Sequence, residues 1–151
     1  MDEKITLSGV PETMLQTIYA RAKESKDRSA IHDKKAEEII GKLNYDFSLA
    51  DKDAPMHSGV IARTIVLDKL VSEYLAKNPG ATVVNIACGL DTRCYRMTGF
   101  KHWYNLDLPE TIAVREKLLP ESGNITQIAM SEMDDWWQNG RGESNSCPYN
   151  H

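Results

Sequence analysis

Gly89 and Asp107 are the pair whose types and spacing suggest chemistry first. "VVNIACGLDTR", residues 83–93, runs a short apolar stretch into a glycine turn. A strand, a glycine turn and a helix start let backbone approach a ligand closely and aim N–H groups at it. Asp107 ends the next apolar stretch, 18 positions after Gly89, near the ~20-residue offset of nucleotide-binding βαβ units. An acid there can accept both hydrogen bonds of a ribose diol. The pair suggests an adenosine-containing ligand. The plain alternative is that Gly89 only turns the chain and Asp107 caps a helix beginning near Glu110.

Which adenosine ligand fits is narrowed by the turn itself. A dinucleotide site needs G-x-G-x-x-G, with glycines for the turn, the pyrophosphate and helix packing. The frame Ala87-Cys88-Gly89-Leu90-Asp91-Thr92 carries one of the three. Asp91 would also set a carboxylate where pyrophosphate should lie. S-adenosylmethionine carries no phosphate, and an acidic turn tolerates its sulfonium and can hydrogen-bond its ammonium. The enzymatic rival is a fragment of an NAD-dependent oxidoreductase, which shares Asp107 but requires the absent glycines.

The elements that must position this pair follow from periodicity. "PETMLQTIYARAKES" places Leu15, Ile18, Tyr19 and Ala22 on one helical face behind Pro11, which suits a first helical position. "HDKKAEEIIGKL" reads as a second helix with Asp33 as a cap, and "NYDFSLADKDAP" as a loop. "SGVIARTIVLDKLVSEYLAK" is a long amphipathic helix with Ile61, Ile65, Leu67, Leu70 and Leu75 on the apolar side, stopped by "NPG". Beyond it, "ATVVNIACG" reads as a strand buried on both faces, "DTRCYRM" as one or two helical turns, and "HWYNLDLP" as a second strand. "ETIAVREKLLPE" is a helix with Ile112, Leu118 and Leu119 inward, and "NITQIAMS" a third strand. Helices followed by β-α-β-α-β predict an α/β fold: an N-terminal helical cap at 1–79, then the first half of a doubly wound parallel sheet at 80–138. An irregular polar tail occupies 139–151 and reads as a frameshift or premature end, with the C-terminal strands missing.

Composition closes off other classes. The 151 residues are 41% hydrophobic and 26% charged, which fits one globular domain. A net charge of −4 offers no basic face for nucleic acid. No apolar run approaches a membrane span, and the acidic, polar N-terminus is not a signal peptide. Cys88, Cys94 and Cys147 follow no metal spacing, and their odd number is a poor disulfide framework, so the expected setting is reduced and cytoplasmic. Cys88 reads as a small buried thiol, and Trp103, Trp136 and Trp137 as core or interface aromatics. His57 reads as a residue of the helix-cap region rather than a base.

"VVNIACGLDTRCYRM" followed by "WYNLDLPETIAVREKLL" resembles the S-adenosylmethionine-dependent methyltransferases that include leucine carboxyl methyltransferases and tetracenomycin-type polyketide O-methyltransferases. "SGVPETMLQTIYARAKES", "IHDKKAEEII" and "IARTIVLD" are similar to that family's helical cap, so the likeness spans roughly residues 5 to 137. The resemblance implies that Gly89 and Ala87 line the methionine end of S-adenosylmethionine, with alanine where the family often has glycine. It implies Asp107 on the ribose, Arg63 on the cofactor carboxylate, with Arg21 at the same end, and Asp134 on the adenine amino group beside Met133. "MDDWW" departs from the family's spacing, so Asp135 is the alternative to Asp134. Asp91 is expected to cap the short helix and Arg93 to pair with a nearby carboxylate.

The implied reaction is methyl transfer to a small-molecule hydroxyl or a carboxyl group, with no catalytic base assigned and no metal. The pocket's second wall is expected in strands beyond these residues, which would leave this chain inactive. The non-enzymatic alternative is a remnant that binds a partner, or itself, through an open sheet edge.

Overall fold

The computed structural model describes residues 11–27, 30–48, 50–120 and 122–130. Helix α1, Glu12–Asp27, begins one residue after Pro11, whose carbonyl accepts from the Met14 N–H at 2.9 Å. Leu15, Ile18 and Ala22 are buried as the periodicity predicts, and Tyr19 stacks on Phe47 with centroids 4.4 Å apart. Helix α2, Lys34–Lys42, starts at Asp33, whose side chain accepts from the Ala36 N–H as the cap reading requires.

Helix α3, Ala54–Lys77, starts four residues before the expected Ser58. Asp53 caps it by accepting from the Met56 N–H, and Pro55 sits in the first turn, where its missing donor costs nothing. The segment expected as loop therefore ends inside a helix. A single 3-10 turn, Ala50–Lys52, precedes it.

The sheet is parallel with order β1-β2-β3: β1 Thr82–Ile86, β2 His102–Asp107 and β3 Ile125–Ala129. Its register sets Val83, Trp103 and Ile125 in one row, and Asn85, Asn105 and Gln127 in the next row on the same face. The apolar row packs with Cys94, Phe100 and Val71 of α3. The polar row lies toward the C-terminal ends of the strands. There Asn105 Oδ1 accepts from Trp103 Nε1 at 3.0 Å and from Asn85 Nδ2 at 3.2 Å. Helix α4, Pro109–Leu118, buries Ile112 and Leu118, and Leu119 follows just beyond it, as predicted. Leu118 and Leu119 join Leu15, Ile18, Ile39 and Leu90 in a core shared by the cap helices and the glycine turn.

Two burial expectations are corrected. β1 is not buried on both faces: Val84 is 54% exposed and Ile86 75%. Among the described residues β1 has a neighbour on one side only, β2. On α3, Ile65, Leu67 and Leu70 are exposed rather than core-facing. Ile61 and Leu75 face inward as expected, and the rest of the stripe runs through Val60, Thr64, Asp68 and Val71, with Thr64 buried and Asp68 anchoring two arginines.

Candidate functional site

The turn that closes β1 is held in place from several directions. Ala87 and Gly89 both lie in the left-handed region, at φ 54° and 49°. A Cβ added at Gly89 would meet Met14 Cγ at an ordinary 3.7 Å, so conformation rather than space calls for glycine. Ala87 takes the same region with a methyl group, at a cost of about 1–2 kcal/mol. Ala87→Gly removes that strain but frees the unfolded chain, so a net gain of about 0.5–1 kcal/mol is expected. A thermal melt should rise by roughly 2–3 °C. A lower melting point would show that the alanine is not strained.

Asp107 does not cap α4. The cap position is Leu108, with no side-chain cap bond. Asp107 Oδ2 instead accepts from the Gly89 N–H at 2.7 Å, and Oδ1 from the Leu108 N–H at 2.7 Å. Each carboxylate oxygen has a second acceptor position, so the group can still take two hydroxyls. Asp91 is not the formal cap of the 3-10 turn Arg93–Tyr95; that position is Thr92. Its Oδ2 accepts from Asn85 Nδ2 at 3.0 Å and from the Arg93 N–H at 3.3 Å, which ties the turn to the polar row of the sheet. Arg93 finds its carboxylate in Asp68, at 2.7 Å.

A cleft of about 430 Å³ brings Arg21, Arg63, Ala87, Gly89 and Asp107 together. That size suits a nucleoside-sized ligand. Arg63 is exposed, and among the described residues its guanidinium makes no hydrogen bond or ion pair. Arg21 also reaches the cleft, but its Nε is committed to Asp33 at 3.1 Å and its Nη2 to the Leu90 carbonyl at 2.9 Å. Burial pulls its pKa below the ordinary value, opposed by Asp33. Asp134, with Asp135, Met133, Trp136 and Trp137, lies outside the described residues. A slightly larger cleft, about 470 Å³, opens beside Tyr19, Lys23 and Asp51. There Lys23 and Tyr19 are both bound to Asp51, and the cleft contains none of the residues expected at the cofactor.

Cys88 is buried and its thiol is pushed up to about 11, chiefly by desolvation and against the pull of Arg115. It is a structural thiol rather than a nucleophile. His57 lies in the first turn of α3, with Nε2 2.9 Å from Glu24 Oε2, and does not line the turn's cleft.

Sequence reasoning missed the residues that brace the site. Asp33 and Arg115 are both wholly buried. Arg96 reaches Asp33 and Asp68, each at 2.9 Å. Only the Asp33 cap had a local signal. The rest depend on contacts across 24 to 63 positions of sequence.

A family model described as leucine carboxyl methyltransferase matches residues 14–138. The chain is 37% identical over 143 residues to tetracenomycin polyketide synthesis O-methyltransferase TcmP of Streptomyces glaucescens, covering 91% of this chain and 52% of that protein. It is 30% identical over 150 residues to the S-adenosyl-L-methionine-dependent methyltransferase dpfgK of Gibberella zeae, covering 89% and 50% respectively. The chain thus spans about half the length of these curated relatives.

Proposed function

The chain belongs to the leucine carboxyl methyltransferase family, and from that premise we propose that its cleft binds S-adenosylmethionine and that the whole protein methylates a small-molecule hydroxyl or carboxyl oxygen. The observation that carries this reading is the placing of unlike groups around one turn. Arg63 has no partner among the described residues, and Asp107 is an acid already oriented by the turn's own N–H. An arginine fork suits the cofactor carboxylate, and an aspartate suits the ribose diol. Between them Ala87 and Gly89 present backbone with almost no side chain.

When bound, the cofactor supplies an activated methyl group on a sulfonium. The chain's residues contribute alignment: Arg63 and Asp107 hold the two ends, and the turn fixes the middle. Asp134 is proposed at the adenine. These residues provide the cofactor side, and we propose that by themselves they do not transfer methyl. The division between a helical cap (1–79) and a cofactor domain (80–138) is functional rather than a break in packing, since Leu15, Leu90 and Leu118 share one core. Buried free thiols at Cys88 and Cys94 favour a reduced, cytoplasmic setting. No helix among the described residues is long and apolar enough to cross a membrane.

The test is parallel calorimetric titration of the chain with S-adenosylhomocysteine and with NAD. Saturable heat with the first alone is expected. Heat with NAD alone would move the protein to the oxidoreductases. The exposed Val84 and Ile86 of β1 favour a second reading, in which the open sheet edge serves association. Silence toward both ligands, with a single discrete oligomer by sedimentation, would favour it.

A further inference from the structure

Three consecutive carbonyls of the turn, those of Gly89, Leu90 and Asp91, accept from two buried guanidinium groups. Arg21 of α1 takes the middle one. Arg115 of α4 takes the outer two: its Nη1 donates to the Gly89 oxygen at 3.0 Å and to the Asp91 oxygen at 2.6 Å. Arg115 is 0% exposed. Among the described residues no carboxylate lies within ion-pair distance of it, and its Nε has no partner. Its remaining contact is Nη2 to Cys94 Sγ, at 3.8 Å. A buried cation without a counter-ion is unfavourable for stability, so packing alone does not account for it.

We infer that Arg115 is a positioning residue of the cofactor site, a role that rests on the cofactor reading above. Arg115 does not line the cleft. It acts through peptide planes. With the Gly89 and Asp91 carbonyls drawn toward one nitrogen beneath the turn, the backbone between them cannot rotate. The next peptide plane, on the N-terminal side of this braced stretch, carries the Gly89 N–H that donates to Asp107 on the cleft wall. A guanidinium suits this task because its donors are fixed in a plane, whereas a lysine ammonium is a single rotating point charge. Arg21 closes the turn from the cap side, so the two arginines make cap, turn and α4 one rigid frame.

The experiment uses the full 151-residue chain. S-adenosylhomocysteine affinity is measured by calorimetry, and amide hydrogen exchange is followed over residues 87–93, for the native chain, Arg115→Met, Arg115→Lys and Ile39→Val. Ile39→Val is a control that loosens the core α2 shares with the turn while removing none of the turn's hydrogen bonds. Arg115→Met is expected to weaken binding about tenfold or more and to speed exchange in the turn. Arg115→Lys should recover part of that loss yet stay about three- to tenfold below native. Ile39→Val should lower the melting temperature and leave affinity within about twofold.

Native affinity in Arg115→Met, or an equal loss in Ile39→Val, overturns the role. No binding by the native chain overturns the cofactor reading and this role with it, which is distinct from native binding that Arg115→Met leaves intact. Should Arg115→Met fail to fold, Arg115→Lys decides, and native affinity in that variant overturns the role.

Discussion

Replacing Asp33 with alanine is expected to lower the unfolding free energy by about 3–5 kcal/mol, the usual cost of leaving buried charges uncompensated. Asp33 is 0% exposed. Its carboxylate accepts from Arg21 Nε at 3.1 Å, Arg96 Nη1 at 2.9 Å, the Ala36 N–H at 3.0 Å and Thr92 Oγ1. Its own N–H donates to Ser25 Oγ at 2.6 Å. Arg96 continues to Asp68, and Arg93 bridges Asp68 and Asp91. Three arginines thus face three aspartates across α1, α2, α3 and the turn. Removing Asp33 leaves one positive charge in excess among largely buried arginines, and it also removes a helix cap. In urea the midpoint should fall with little change in slope, and the melting temperature should drop by roughly 10 °C. Asp33→Asn keeps the shape and one acceptor and should fall between. Lys35→Ala, which breaks an exposed pair with Glu38, should stay within about 0.5 kcal/mol of native. An Asp33→Ala chain within about 1 kcal/mol of native, on the same scale, would mean that the network is decorative.

The contrast between Asp33 and Arg115 shows what a sequence can disclose. Asp33 precedes an apolar-periodic run, so its cap role is a local event within three residues, and the structure shows that cap. The order of strands and helices was legible for the same reason, since each has its own period and its own proline or glycine stop. Arg115 sits between Val114 and Glu116 on what reads as an ordinary helix face. Nothing local marks it as buried, because its partners are carbonyls 24 and 26 positions away. The misreading of α3 has a related cause. Its inward stripe includes Thr64 and Asp68, which a hydrophobic pattern assigns to solvent, while Ile65, Leu67 and Leu70 fall beside the stripe. Polar side chains that serve a network invert the pattern from which faces are read. Of the residues expected at the cofactor, Arg21, Arg63, Ala87, Gly89 and Asp107 line one cleft, and Asp134 lies outside the described residues. The scaffold beneath them emerged only from tertiary contacts.

Asp107→Asn is expected to raise the dissociation constant for S-adenosylhomocysteine by about 30- to 150-fold, equivalent to about 2–3 kcal/mol. A carboxylate offers two oxygens and about four acceptor positions. Two are already used, by the Gly89 and Leu108 N–H groups at 2.7 Å each. The other two are available to a ribose diol. An amide has one oxygen, so an asparagine side chain at this position must forfeit either the backbone tether or a ribose bond, and it loses the charge that strengthens both. The two causes separate in a cycle with the 2′-deoxyribose analogue of the same ligand. If Asp107 holds the diol, the substitution should hurt the deoxy analogue several-fold less than the parent, because one of the interactions it removes is absent from that complex. If both ligands lose affinity equally, Asp107 acts only by holding Gly89. Its function would then be the same as that of Arg115, a brace for the turn and not a contact of the ligand. The ribose assignment would fall while the cofactor site stood.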